Sequence, residues 1–159
     1  MAHAASTASW RRFYARRLAP LIGRAQPAAR AALRELSVRT SPPSVVSLWI
    51  MGAWISQSIS AVTRLDIPEH LKDGPKTCDE LAAATGAHAP TLYRVMRALA
   101  SIGLFEEDER GRFSTTRLGH CLEADAPDSQ RDIALMVGAE WHWQPWGKLL
   151  DAVRTSEKS

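Results

Sequence analysis

Residues 74–119, GPKTCDELAAATGAHAPTLYRVMRALASIGLFEEDERGRFSTTRLG, constrain the fold of this chain more than any other stretch. Thr77 can cap a helix, and Glu80 three residues on completes a capping box. Leu81 and the alanines at 82–84 carry that helix to Gly86, which suits the left-handed position just past a helix end. Pro90 opens a second helix, because its fixed φ is pre-set for a first helical turn. Leu92, Val95, Met96 and Leu99 recur at i, i+3, i+4 and i+7 and so share one buried face. Gly103 ends that helix. Residues 104–107 and 112–115 then pair as a hairpin about the turn at 108–111. A mainly α-helical winged helix-turn-helix with a two-stranded wing is expected. Such a unit either grips DNA or serves as a packing module.

Charge separates the chain into parts. Residues 1–40 hold eight Arg and one Glu, so the remaining residues balance to −4 against the +3 of the whole chain. The expected organisation is a basic Arg/Ala-rich arm at 1–41, a winged-helix domain at 42–155, and a polar tail at 156–159 that reads as a truncation point. The arm suits a presequence, an anionic surface or a partner subunit, since acidic residues are missing until Glu35. Two cysteines, Cys78 and Cys121, without metal-ligand spacing point to a reducing, cytoplasmic setting and no metal site.

No residue from 40 to 63 is charged. Pro42-Pro43 and the hydroxyl and amide side chains at 47, 56, 57, 58, 60 and 63 argue against a lipid span, so no membrane is expected. A buried helix over 44–64 is the better reading. Leu48, Met51, Ile55, Ile59 and Val62 form one stripe, while Trp49 and Trp54 point to other faces. A helix apolar nearly all round needs cover on nearly all sides, which implies a partner chain. Trp49, Trp54, Ile55 and Ile59 are therefore the candidate dimer-interface residues. Residues 65–71 read as a short helix beneath the winged unit, and 117–122 as a further helical turn. Ser129 is expected to cap a helix running to Gly138, and residues 144–153 to form one helix with Trp146, Leu149, Leu150 and Val153 on one face.

Taken together these pieces resemble the N-terminal dimerisation domain of the S-adenosylmethionine-dependent small-molecule O-methyltransferases, of the plant phenolic and bacterial polyketide type. The resemblance rests on Ser56-Gln57, on the RLDIPEHL run at 64–71, on Gly74-Pro75-Lys76-Thr77, and on the LYRVMRALA helix at 92–100. Ile102-Gly103-Leu104-Phe105, Phe113-Ser114-Thr115-Thr116 and Trp146-Gly147-Lys148-Leu149 extend it. It implies a homodimer with long dimerisation helices. In the full enzyme it implies methyl transfer from S-adenosylmethionine to the hydroxyl of a small aromatic substrate. Met136, Trp141 and Trp143 are then the candidate substrate-lining residues, because that family's helices before the linker help roof the pocket. The family's catalytic base and cofactor turn belong to a Rossmann-like domain. This sequence has nine isolated glycines and no acidic-Gly-x-Gly pattern. That domain is expected to be absent here or supplied by a separate chain, with no catalytic, cofactor-binding or metal residue assigned within the 159.

The residues that mimic a site have plainer readings. His142 lies between two tryptophans but has no carboxylate neighbour in sequence, and His120-Cys121 lacks further ligands. Arg94 and Arg97 lie opposite the core stripe of the second helix, where a DNA reader would meet the groove. The acids at 106–109 sit on the wing, where carboxylates repel a phosphate backbone. A winged-helix transcriptional regulator is the alternative, and no specific nucleic acid is expected.

Overall fold

The computed structural model describes residues 27, 28, 30–32, 34, 35 and 40–155. Most of the basic arm and the tail at 156–159 lie outside the described residues. The chain divides into two compact units, Met1–Met51 and Gly52–Ser159. Helix α1 runs over Pro42–Arg64 and so belongs to both. Among the described residues it is the one helix long and apolar enough to cross a membrane by length and composition. In its first half Val46, Leu48, Trp49, Ile50 and Met51 are exposed, so the stripe expected to be buried is covered only from its C-terminal part.

The second unit is built on α1's last turns. Val62 and Thr63 are fully buried, and Thr63 Oγ1 donates to the Ile59 carbonyl at 2.7 Å. Asp66 turns the chain with φ 54°, a left-handed conformation that Asp tolerates better than most residues. Helix α2, Ile67–His70, follows with Pro68 in its first turn. The short strand β1, Lys76–Thr77, leads into α3, Cys78–Thr85. There the capping box forms as read: Thr77 accepts from the Glu80 amide and Glu80 Oε2 accepts from the Thr77 amide at 2.7 Å. Gly86 closes α3 at φ 72°. Helix α4, Ala89–Ser101, buries Leu92, Met96 and Leu99, with Val95 half-buried at the edge of the stripe.

Strands β2, Phe105–Glu107, and β3, Arg112–Thr115, form the wing, with Gly111 at φ 71° in its turn. The sheet has three strands and not two. Lys76 pairs opposite Phe113 and Thr77 opposite Arg112, giving the antiparallel order β1-β3-β2. Two residues before a helix carry too little alternation to read as a strand from sequence; pairing with β3 defines them. Phe105 and Phe113 point inward and join Val62, Ile67, Leu71, Leu81 and the α4 stripe in one core.

A 3-10 turn at Gly119–Leu122 leads to α5, Arg131–Val137. The cap expected at Ser129 is corrected: Gln130 is the N-cap residue and makes no side-chain cap bond. Ser129 Oγ donates to the Glu123 carbonyl at 2.6 Å, closing the loop, and still accepts from the Arg131 amide at the start of α5 at 3.3 Å. The single helix expected over 144–153 is also broken, into α6, Glu140–Trp143, a 3-10 stretch at Gln144–Lys148, and α7, Leu149–Thr155. Pro145 lies in the first turn of that stretch, where its missing N–H costs nothing.

Candidate functional site

The recognition-helix face of α4 is engaged by the wing. Tyr93 Oη donates to Glu107 Oε1 at 2.9 Å, and Arg97 Nε lies 3.6 Å from Glu107 Oε2. The Arg97 guanidinium also sits 5.9 Å from the Tyr93 ring centroid. One of the four wing acids thus turns back onto the helix that would have to face a phosphate backbone. Asp108 is taken up within the turn, accepting from the Arg112 amide and Arg112 Nε, each at 2.9 Å. Those bonds hold its carboxyl below the usual carboxylate range, led by the bond from the Arg112 backbone. The wing acids Glu107 and Asp108 are therefore in part structural.

The four interface candidates divide by burial. Trp49 is 57% exposed and Trp54 68% exposed, whereas Ile55 and Ile59 are half-buried. Ile59 packs against the core of the second unit, so it cannot belong wholly to an external partner. Beside it opens an apolar cavity of about 420 Å³, bounded by Ser56 and Ile59 of α1, Leu118 and Cys121 near the 3-10 turn, and Ile133 and Val137 of α5. No periodicity within one element announces this cavity, because four separated segments line it. Cys121 is half-exposed there. Cys78 is the buried thiol, and burial pushes its pKa up to about 11.

The substrate-lining candidates differ in burial. Met136 is buried, while Trp141 and Trp143 are exposed. His142 meets Trp141 edge-on at 5.6 Å and Trp146 at 6.4 Å between ring centroids. Its Nδ1 is buried with no hydrogen-bond partner among the described residues. Trp146, Leu149, Leu150 and Val153 are exposed as well, so α6, α7 and the 3-10 stretch between them present a long apolar surface. No group of three or more His, Cys, Asp or Glu suited to a metal occurs among the described residues.

An ion-pair cluster ties this region to the winged unit. Lys72 bridges Glu69 at 2.7 Å and Asp125 at 2.5 Å, with Glu123 at 3.8 Å. His120 Nδ1 lies 2.5 Å from Glu123 Oε1. Glu69 also accepts from the Ala124 amide, and Arg131 reaches Asp66 at 2.6 Å. The sequence did not announce these pairings, since charges scattered from 66 to 131 carry no local signal.

A winged helix whose α4 face is bonded to its own wing, joined to a long helix with an exposed apolar face, defines a packing module of the winged-helix class. Residues 48–125 match the family model for the O-methyltransferase dimerisation domain, and this part of the chain belongs to that family. The chain is 43% identical over 114 residues to a phenazine O-methyltransferase of Lysobacter antibioticus, covering 72% of this chain and 33% of that protein. It is 37% identical over 124 residues to a mitomycin biosynthesis 6-O-methyltransferase of Streptomyces lavendulae, covering 77% of this chain and 36% of the relative. Among solved structures, LaPhzM superposes with a TM-score of 0.69 at 41% identity, over 75% of this chain and 36% of that one. The chain spans about a third of the length of the relatives it matches.

Proposed function

We propose that this chain is the dimerisation and substrate-roof part of a small-molecule O-methyltransferase, and that it does not catalyse methyl transfer by itself. The whole enzyme would move a methyl group from S-adenosylmethionine to an aromatic hydroxyl, with the cofactor-binding portion supplied from outside these residues. The observation that carries the reading is the exposure of Trp49, Ile50 and Trp54 on more than one side of α1, where large apolar side chains stand more open than a folded monomer ordinarily leaves them. A second copy of the chain is the partner that family membership favours. The exposed Trp141 and Trp143, beside a His142 nitrogen without a partner, support an aromatic-lined surface completed by groups from elsewhere.

Sedimentation of the full chain tests the dimer, and a folded monomer at micromolar concentration would remove it. Ile55→Asp should weaken the dimer by about a hundredfold or more, because a carboxylate would be left buried and unpaired. Calorimetry with S-adenosylmethionine should show no binding to this chain; micromolar affinity would mean that a cofactor site lies within it.

A further inference from the structure

Two half-buried side chains of the second unit each hide a polar atom with no hydrogen-bond partner among the described residues. They are the Gln57 amide nitrogen, Nε2, and His142 Nδ1. A third such atom, Thr115 Oγ1, lies on β3 of the wing. A buried donor or acceptor left unpaired costs its full desolvation, so each calls for a physical explanation.

Contacts between α1 and α5 bring Gln57 and His142 to one end of the same packing. Arg131 reaches the Thr63 carbonyl and Asp66, Arg64 reaches the Leu135 carbonyl, and Gly138 abuts Ser60. As the chain ascends from 131 to 138 it therefore meets α1 in descending order. At about 3.6 residues per turn, Gln57 shares a strip with Ser60 and Arg64 and lies one turn beyond Ser60. After Gly138 the chain turns tightly. The Ala139 amide bonds to the Met136 carbonyl, and the His142 and Trp143 amides bond to the Ala139 carbonyl. His142 thus stays one turn from the Ser60–Gly138 contact, on the side toward Gln57.

The two atoms are chemically complementary to one kind of group. An amide N–H only donates, whereas an imidazole nitrogen without a proton accepts. A single hydroxyl serves both, accepting from Gln57 and donating to His142; an ether or carbonyl oxygen serves only the first. The surroundings suit a flat ring, since the Trp141 and Trp146 indoles flank the imidazole. We infer that Gln57 and His142 clasp a hydroxyl borne on an aromatic ring, beside the Trp141–Trp146 cluster. This rests on the substrate-roof reading above and adds the polar contact that selects the acceptor. Both side chains are only half-buried, so a small rotation of each opens the hidden atom to an incoming group.

Phenol and anisole differ in whether the ring oxygen carries a proton, and they are the probes. Each is titrated into the full chain at millimolar concentration and followed by heteronuclear NMR. Phenol should move the Gln57 side-chain amide and His142 imidazole signals and bind about tenfold more tightly than anisole. Gln57→Leu and His142→Phe keep the bulk of each side chain and should bring phenol down to the anisole level. Both probes should still move the Trp141 and Trp143 indole signals in those variants. Equal affinities in the wild-type chain, with the indole signals moving, overturn the inference and leave the roof reading standing. A phenol preference that survives both substitutions overturns it as well. So do Gln57 and His142 signals that respond only to a bound water and to neither probe. If neither probe moves the indoles, the inference and the roof reading fall together. The wild-type comparison needs no variant, so a substitution that fails to fold leaves the test decisive.

Discussion

Gly138 follows the last turn of α5 at φ −84°, a conformation open to any residue, so backbone freedom does not explain it. Packing does. A Cβ there would run into the Ser60 side chain, which is itself buried on α1. The two helices meet where one lacks a side chain and the other carries a small one. Gly138→Ala should therefore destabilise the fold by roughly 1–3 kcal/mol through overpacking, despite alanine's better helix propensity. Urea denaturation checks this, and Ser60→Gly in the same chain should recover part of the loss. A neutral or stabilising Gly138→Ala would mean that α5 is free to shift away from α1.

At the scale of elements, α4 and the wing act as a closed pair. Tyr93 packs edge-to-face on Phe113 at 6.0 Å while its hydroxyl holds Glu107, so the same ring serves the core and the polar surface. A helix tied in this way presents Arg97 to its own wing. Arg94→Ala and Arg97→Ala should each leave duplex binding unchanged, measured by fluorescence anisotropy above about 100 mM salt. Any affinity seen at low salt should come from the eight arginines of residues 1–40 and fade steeply as salt rises. Sequence-selective binding that disappears with Arg94→Ala would restore the regulator reading.

Across the second unit, the Lys72 cluster joins α2 to the segment before α5, and it makes stability depend on acid. The Lys72 hydrogen bonds hold the Glu69 and Asp125 carboxyls below their ordinary 4.5 and 3.8. Lowered carboxylates contribute fully above those ordinary values and lose their contribution as pH falls through the lowered folded ones. Lys72 is itself raised, so its contribution is complete below its ordinary 10.5 and lost only at more alkaline pH. Urea midpoints should thus be flat from about pH 6 to 9 and fall below about pH 4. Lys72→Met should lower the neutral-pH midpoint and flatten the acid limb. An unchanged acid limb would show that other carboxylates govern it. These groups are partly exposed, so moderate salt should shrink the effect.

The features legible from residues alone are local: the Thr77–Glu80 capping box, the left-handed Gly86, the 92, 96, 99 stripe and the wing. Each is set by contacts within a few residues, where propensity and periodicity act directly. Family membership was legible for the same reason, because its motifs are short and lie on those elements. Tertiary contacts set the third strand at Lys76–Thr77, the bond from Ser129 to the Glu123 carbonyl, and the Lys72 and Arg131 bridges. They also divided the apolar residues of α1, sending Val62 into the core and leaving Trp49 and Trp54 outside. Periodicity can say that a residue is apolar and which neighbours share its face. Which face another element covers depends on chain brought back from distant parts of the sequence, and no local pattern encodes that.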